Sequence, residues 1–85
     1  MPFVYILESK KNGRYYIGST KDIGARLIRH KAGKVGATKV LLPVDLVFKK
    51  EVDNFSEARI LELKLKKLKR KDYLKKIILS GELTI

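Results

Sequence analysis

An Asn12-Gly13 pair stands between two short runs rich in aromatic and β-branched residues, residues 3–7 (FVYIL) and 15–19 (YYIGS). This is the strongest short-range signal for a β-hairpin, and it constrains all that follows. If Asn12 and Gly13 alone form the turn, Ser9 faces Tyr16 and Leu7 faces Gly18. Tyr5 and Tyr16 then share a face but lie roughly 13 Å apart along the strands. A four-residue loop over residues 10–13 keeps that parity and halves the offset, whereas a three-residue loop sends the two tyrosines to opposite faces. If the tyrosines share a site, the longer loop is the one required.

The chain passes at once from the hairpin into a helix over residues 22–32. Asp22 is suited to its N-cap, and Ile23 and Leu27 form an apolar i, i+4 pair. Arg26 and His30, also four apart, lie one above the other beside that stripe. Residues 33–42 read as a loop whose Gly33, Gly36, Lys34 and Lys39, with Lys31 just before, suit either a phosphate contact or a plain surface connection. Pro43 introduces a third strand over 44–51, with Val44, Leu46 and Phe48 expected on one face and Asp45, Val47 and Lys49 on the other.

A second helix over 56–67, capped by Asp53 or Ser56, carries Ala58, Leu61, Leu65 and Leu68 as its apolar stripe. Glu62 falls at the edge of that stripe. Its plainest reading is an i, i+4 ion pair with Lys66, and Glu57 on the other flank is a weaker candidate for a metal. Eight of the thirteen residues 64–76 are Lys or Arg. Tyr73, Ile77 and Ile78 resume an apolar pattern after Arg70, and Gly81 is placed as a C-cap. The basic run therefore joins two helices rather than forming a tail. The expected order is β-β-α-β-α-α, an α/β (α+β) domain over 1–85 with a small three-stranded mixed sheet flanked by helices.

Charge narrows the partner. Twenty Lys and Arg against nine Asp and Glu give a formal net charge of +11, the footprint of a protein that meets a polyanion, nucleic acid ahead of an anionic membrane surface. An ion-pair network of the thermophile kind needs comparable acid. With no cysteine and one histidine, disulfides, thiolate zinc and multi-histidine metal sites are excluded, so any metal is held by carboxylate and water. The apolar run near the amino terminus is too short to span a membrane and lacks the basic segment of a signal peptide, which leads to a cytoplasmic expectation.

These residues resemble the GIY-YIG nuclease family, most closely its small stand-alone branch. Phe3-Val4-Tyr5 resembles the first of the family's two motifs, keeping the tyrosine but not the leading Gly-Ile, and Tyr16-Ile17-Gly18 matches the other intact. Arg26 and His30 match the arginine and histidine of the family's first helix, and Glu62 is similar in position to its metal-binding glutamate. Many members carry a further asparagine downstream of that glutamate, and none follows Asn54 here.

The resemblance implies an endonuclease that hydrolyses phosphodiesters, DNA ahead of RNA, with Mg²⁺ or Mn²⁺. Glu62 would hold the metal, and Arg26 would grip the phosphate through its bidentate fork. Tyr5 is the favoured general base with Tyr16 beside it, the reverse order staying open, and His30 relays or positions a proton. A tyrosine has an ordinary pKa of about 10, so nearby cations must lower it. Gly18, Lys31, Lys34, Lys39, Lys66 and Lys67 are the expected substrate contacts. Two other readings stand beside this one: a nucleic-acid-binding module of the same fold that does not cut, suggested by the absent asparagine, and an adaptor for an acidic protein.

Overall fold

A computed structural model describes residues 1–68 and 70–83; of the basic run over 64–76, Lys69 lies outside the described residues. The elements are β1 (Phe3–Ser9), β2 (Tyr15–Thr20), α1 (Ile23–Lys31), α2 (Gly36–Lys39), β3 (Val44–Glu51), α3 (Phe55–Leu68) and α4 (Lys71–Ser80). The hairpin uses the longer loop. Ser9 N–H donates to the Arg14 carbonyl at 2.8 Å, and the Gly13 N–H returns to the Ser9 carbonyl at 2.8 Å. Ser9 Oγ accepts from the N–H groups of Lys11 and Asn12, so one buried hydroxyl satisfies the loop backbone. Gly13 takes φ of +75°, a conformation that disfavours a side chain. Tyr5 therefore faces Gly18 and Leu7 faces Tyr16, which brings the two tyrosines within two residues of register.

The sheet order is β2-β1-β3, and both pairings are antiparallel. The expected three strands are present, but the sheet is antiparallel throughout rather than mixed. The reason is topological: α1 and α2 carry the chain from the end of β2 to the far side of β1, where β3 runs against it. β1 is buried on both faces. Tyr5 and Leu7 pack with Val44, Ile23, Leu27 and Leu46 on the α1 side. Val4 and Ile6 pack with Ile17, Leu65, Leu74 and Ile77 on the side of α3 and α4. Each such buried aliphatic side chain contributes about 1.5–3 kcal/mol, so a chain this short gains two thin cores from one strand.

Three further details differ from the sequence expectation. A register shift between Ile6 and Leu7 pairs Ile6 with Phe48 but Leu7 with Leu46, leaving Val47 as an extra residue. This bulge reverses the parity of β3, so Phe48 joins the α3 and α4 core while Val44 and Leu46 serve the α1 side. The stretch 33–42 contains the short helix α2, whose Thr38 is completely buried. The cap of α3 is Asn54, whose Oδ1 accepts from Glu57 N–H at 2.9 Å while Glu57 Oε2 accepts from Asp53 N–H at 3.3 Å. Asp22 and Gly81 cap α1 and α4 as the sequence indicates.

Candidate active site

The hairpin register and the pitch of α1 bring three rings together. Tyr5 and Tyr16 have ring centroids 6.5 Å apart, and His30 meets both edge-on, at 5.7 Å from Tyr5 and 5.2 Å from Tyr16. The Tyr5 hydroxyl is 2.8 Å from His30 Nε2, and His30 Nδ1 is 2.8 Å from Thr38 Oγ1. Tyr5, His30 and Thr38 all have 0 % exposure, whereas Tyr16 and Arg26 are half-buried. Gly18 makes the arrangement possible: a Cβ there would stand 2.6 Å from both Cζ and the hydroxyl oxygen of Tyr5. Tyr5 thus lies across β2 with its hydroxyl at the sheet edge.

Arg26 sits beside these groups and acts on both. Burial, reinforced by the neighbouring Tyr16 hydroxyl, pushes the Tyr5 pKa up to about 12 against the opposing pull of Arg26. Burial, with the Arg26 charge, pulls His30 below its ordinary value, so the imidazole is neutral at neutral pH. Arg26 also lines a groove of about 420 Å³ with Thr20, Lys21, Arg29 and Phe55.

Glu62 comes from the opposite face of the sheet. It is 6 % exposed, accepts a hydrogen bond from Ser19 Oγ on Oε1, and is 2.6 Å from Lys66 Nζ and 3.6 Å from Arg59. Burial alone would raise its pKa, but the hydrogen bonds from Lys66 and Ser19 and the charges of Lys66 and Arg59 hold the carboxyl below its ordinary value. β2 is an edge strand whose adjacent Gly18 and Ser19 face opposite ways, so Tyr5 and Glu62 reach the same edge from the two sides. The Glu62 charge is felt at Tyr5.

The family model of the GIY-YIG catalytic domain matches residues 1–77. The chain belongs to the GIY-YIG family. It is 42 % identical over 77 residues to a UPF0213 protein of Staphylococcus epidermidis, covering 88 % of this chain and 92 % of that one. It is 41 % identical over 71 residues to the UPF0213 protein YazA of Bacillus subtilis, covering 81 % and 70 %. A UPF0213 protein from Bacillus halodurans, solved by solution NMR, superposes with a TM-score of 0.58 at 34 % identity, over 95 % of this chain and 87 % of that one.

In this GIY-YIG domain, Tyr5, Tyr16, Gly18, Arg26 and His30 converge on the α1 side of β2, and Glu62 closes on the same edge. Lys31, Lys34, Lys39 and Lys67 are exposed, while Lys66, expected at substrate, is drawn onto Glu62. Among the described residues no group of three or more acidic, histidine or cysteine side chains stands together. Family membership implies a divalent metal, and the donors here fit one: an ionised, buried carboxylate with the Ser19 hydroxyl against it are the oxygen ligands a hydrated Mg²⁺ or Mn²⁺ accepts. Lys66, half-exposed, holds the Oε2 atom of that carboxylate at 2.6 Å. Ser19 and Thr38 escaped the sequence reading. Ser19 follows the Gly18 motif directly and was legible by position, whereas nothing in the sequence ties Thr38 to His30.

Proposed function

We propose that the whole chain, residues 1–85, acts as a metal-dependent endonuclease that hydrolyses phosphodiester bonds in cytoplasmic DNA. The observation that carries this reading is the meeting of the Tyr5–His30 hydrogen bond and Arg26 with the buried Glu62 carboxylate at one sheet edge. Arg26 receives the scissile phosphate at the mouth of its groove, where its fork satisfies two non-bridging oxygens. Glu62 and the Ser19 hydroxyl would hold the metal, which would supply charge neutralisation at the phosphate and the leaving oxygen.

Tyr5 is sealed from solvent and its pKa of about 12 forbids a standing tyrosinate at neutral pH. Tyr16 is the half-buried hydroxyl of the pair, so the attacking water is placed at Tyr16, reversing the preferred order of the two tyrosines. One proton leaves the attacking water: it passes to Tyr16 as Tyr16 hands its own to Tyr5 and Tyr5 hands its own to neutral His30, so the imidazole ends protonated and neither tyrosine stands ionised. Lys31, Lys34, Lys39 and Lys67 hold the flanking phosphates by charge, with no reading of bases.

The test is a panel of labelled branched, duplex and single-stranded DNA and RNA incubated with Mn²⁺. DNA should be cut, and Glu62→Gln should lose cleavage by about 10²-fold or more while affinity holds or rises, because Glu62 acts through transition-state charge. The competing reading, a binding module that does not cut, draws on Lys66 and Arg59 already neutralising Glu62. Tight binding with no cleavage across the panel would establish it.

A further inference from the structure

His30 is the only histidine in the chain, wholly buried, with each ring nitrogen against a hydroxyl. A neutral imidazole carries one N–H and one lone pair, so one hydroxyl gives to it and the other receives. Both ends of the chain of hydrogen bonds favour the same direction. At one end, Arg26 beside the Tyr5 hydroxyl has only donors, which leaves His30 Nε2 as the acceptor for the buried Tyr5 O–H. At the other, Thr38 Oγ1 lies 3.3 Å from the Val35 carbonyl oxygen, an acceptor for its own hydrogen, so its lone pairs face Nδ1.

We propose that Thr38 is a positioning residue that holds His30 as the Nδ1–H tautomer, so that Nε2 presents its lone pair to Tyr5. The Thr38 hydroxyl meets His30 Nδ1 and the Val35 carbonyl, and it acts through the imidazole. Its place explains a helix of only four residues: α2 is a single turn, Gly36–Lys39, that delivers one hydroxyl to the back of the ring. The methyl group of a threonine fixes χ1 more firmly than a serine would. The consequence for cleavage rests on the nuclease reading above, whereas the tautomer does not.

The lone histidine makes the test direct. In tag-free protein labelled with ¹⁵N-histidine, the wild type should show a pyrrole-type Nδ1 and a pyridine-type Nε2. Thr38→Val should shift His30 towards the other tautomer or a mixture, and Thr38→Ser should restore the wild-type pattern. Against a DNA substrate, Thr38→Val should lower kcat by about 10- to 100-fold, the range for groups that orient a reacting side chain, with affinity unchanged and Thr38→Ser recovering most of the loss. A wild-type spectrum with the proton on Nε2 overturns the proposal, as does a Thr38→Val protein whose His30 signals match the wild type. If Thr38→Val does not fold, the wild-type spectrum and that of Thr38→Ala still decide. If the tautomer is as stated but no substrate is cut, the nuclease reading fails and the role of Thr38 stands.

Discussion

Gly18 is the residue with the least freedom in the site. A methyl group there meets the end of the Tyr5 ring at 2.6 Å, and Tyr5 cannot retreat because it is buried on every side. Gly18→Ala should cost about 1–3 kcal/mol of stability as an overpacking change, read as a lower urea midpoint, and should abolish cleavage by parting Tyr5 from His30. The titrating residues give a further prediction. The Tyr5 pKa is raised, so its contribution to stability is complete below pH 10 and is lost as pH rises towards about 12. In a tyrosinate absorbance titration Tyr5 should ionise only towards about pH 12, and Tyr5→Phe should remove that late step. His30 and Glu62 have depressed folded values, so their contributions are present above 6.5 and 4.5 and are lost as pH falls below each. Between about pH 7.5 and 5.5 the wild type should therefore lose more stability than His30→Gln, as measured by urea unfolding.

At the scale of elements, β1 carries the architecture. Its alternate residues feed two cores, and the bulge at Val47 lets β3 serve the α1 core with Val44 and Leu46 and the opposite core with Phe48. α3 must then arrive at a fixed angle for Glu62 to reach Ser19, and its first turn is tied by two hydrogen bonds, Glu57 N–H to Asn54 Oδ1 and Asp53 N–H to Glu57 Oε2. Removing the cap should loosen the helix at its first turn, two turns before Glu62. Asn54→Ala should lower stability by about 1 kcal/mol while leaving the rate of cleavage at saturating DNA within a factor of about two, since the packed stripe of Ala58 and Leu65 still seats the helix. Thermal unfolding beside single-turnover kinetics checks both halves.

Across the whole molecule charge dominates. On the proposed function, a formal +11 over 85 residues would make DNA binding a counterion-release process, so log affinity should fall steeply and linearly with log salt, measured by fluorescence anisotropy between about 50 and 200 mM salt. Replacing the exposed Lys67 and Lys34 should lower affinity and shallow that slope without changing turnover at saturation. Lys66 belongs to a different class, because it neutralises Glu62 in the free protein. EDTA should stop cleavage and leave thermal stability almost unchanged, for a single carboxylate and its hydroxyl neighbour add little to a fold already held by two cores. A large fall in stability on chelation would show that metal organises the fold.

The sequence by itself determined the hairpin, the three longer helices α1, α3 and α4, and the caps at Asp22 and Gly81, because turn chemistry, apolar period and capping are local. It also carried the family resemblance, since Tyr5, Tyr16-Ile17-Gly18, Arg26, His30 and Glu62 stand at recognisable spacings. It left the loop length open among two, three and four residues, and it assigned Phe48 to the wrong face, because a one-residue bulge has no signature in an alternating apolar run. Only the tertiary structure brought Thr38 behind His30 and Ser19 against Glu62. Those contacts join residues 8 and 43 positions apart across elements whose relative placement is set by packing on β1, and local pattern holds no information about which hydroxyl a buried ring nitrogen will meet.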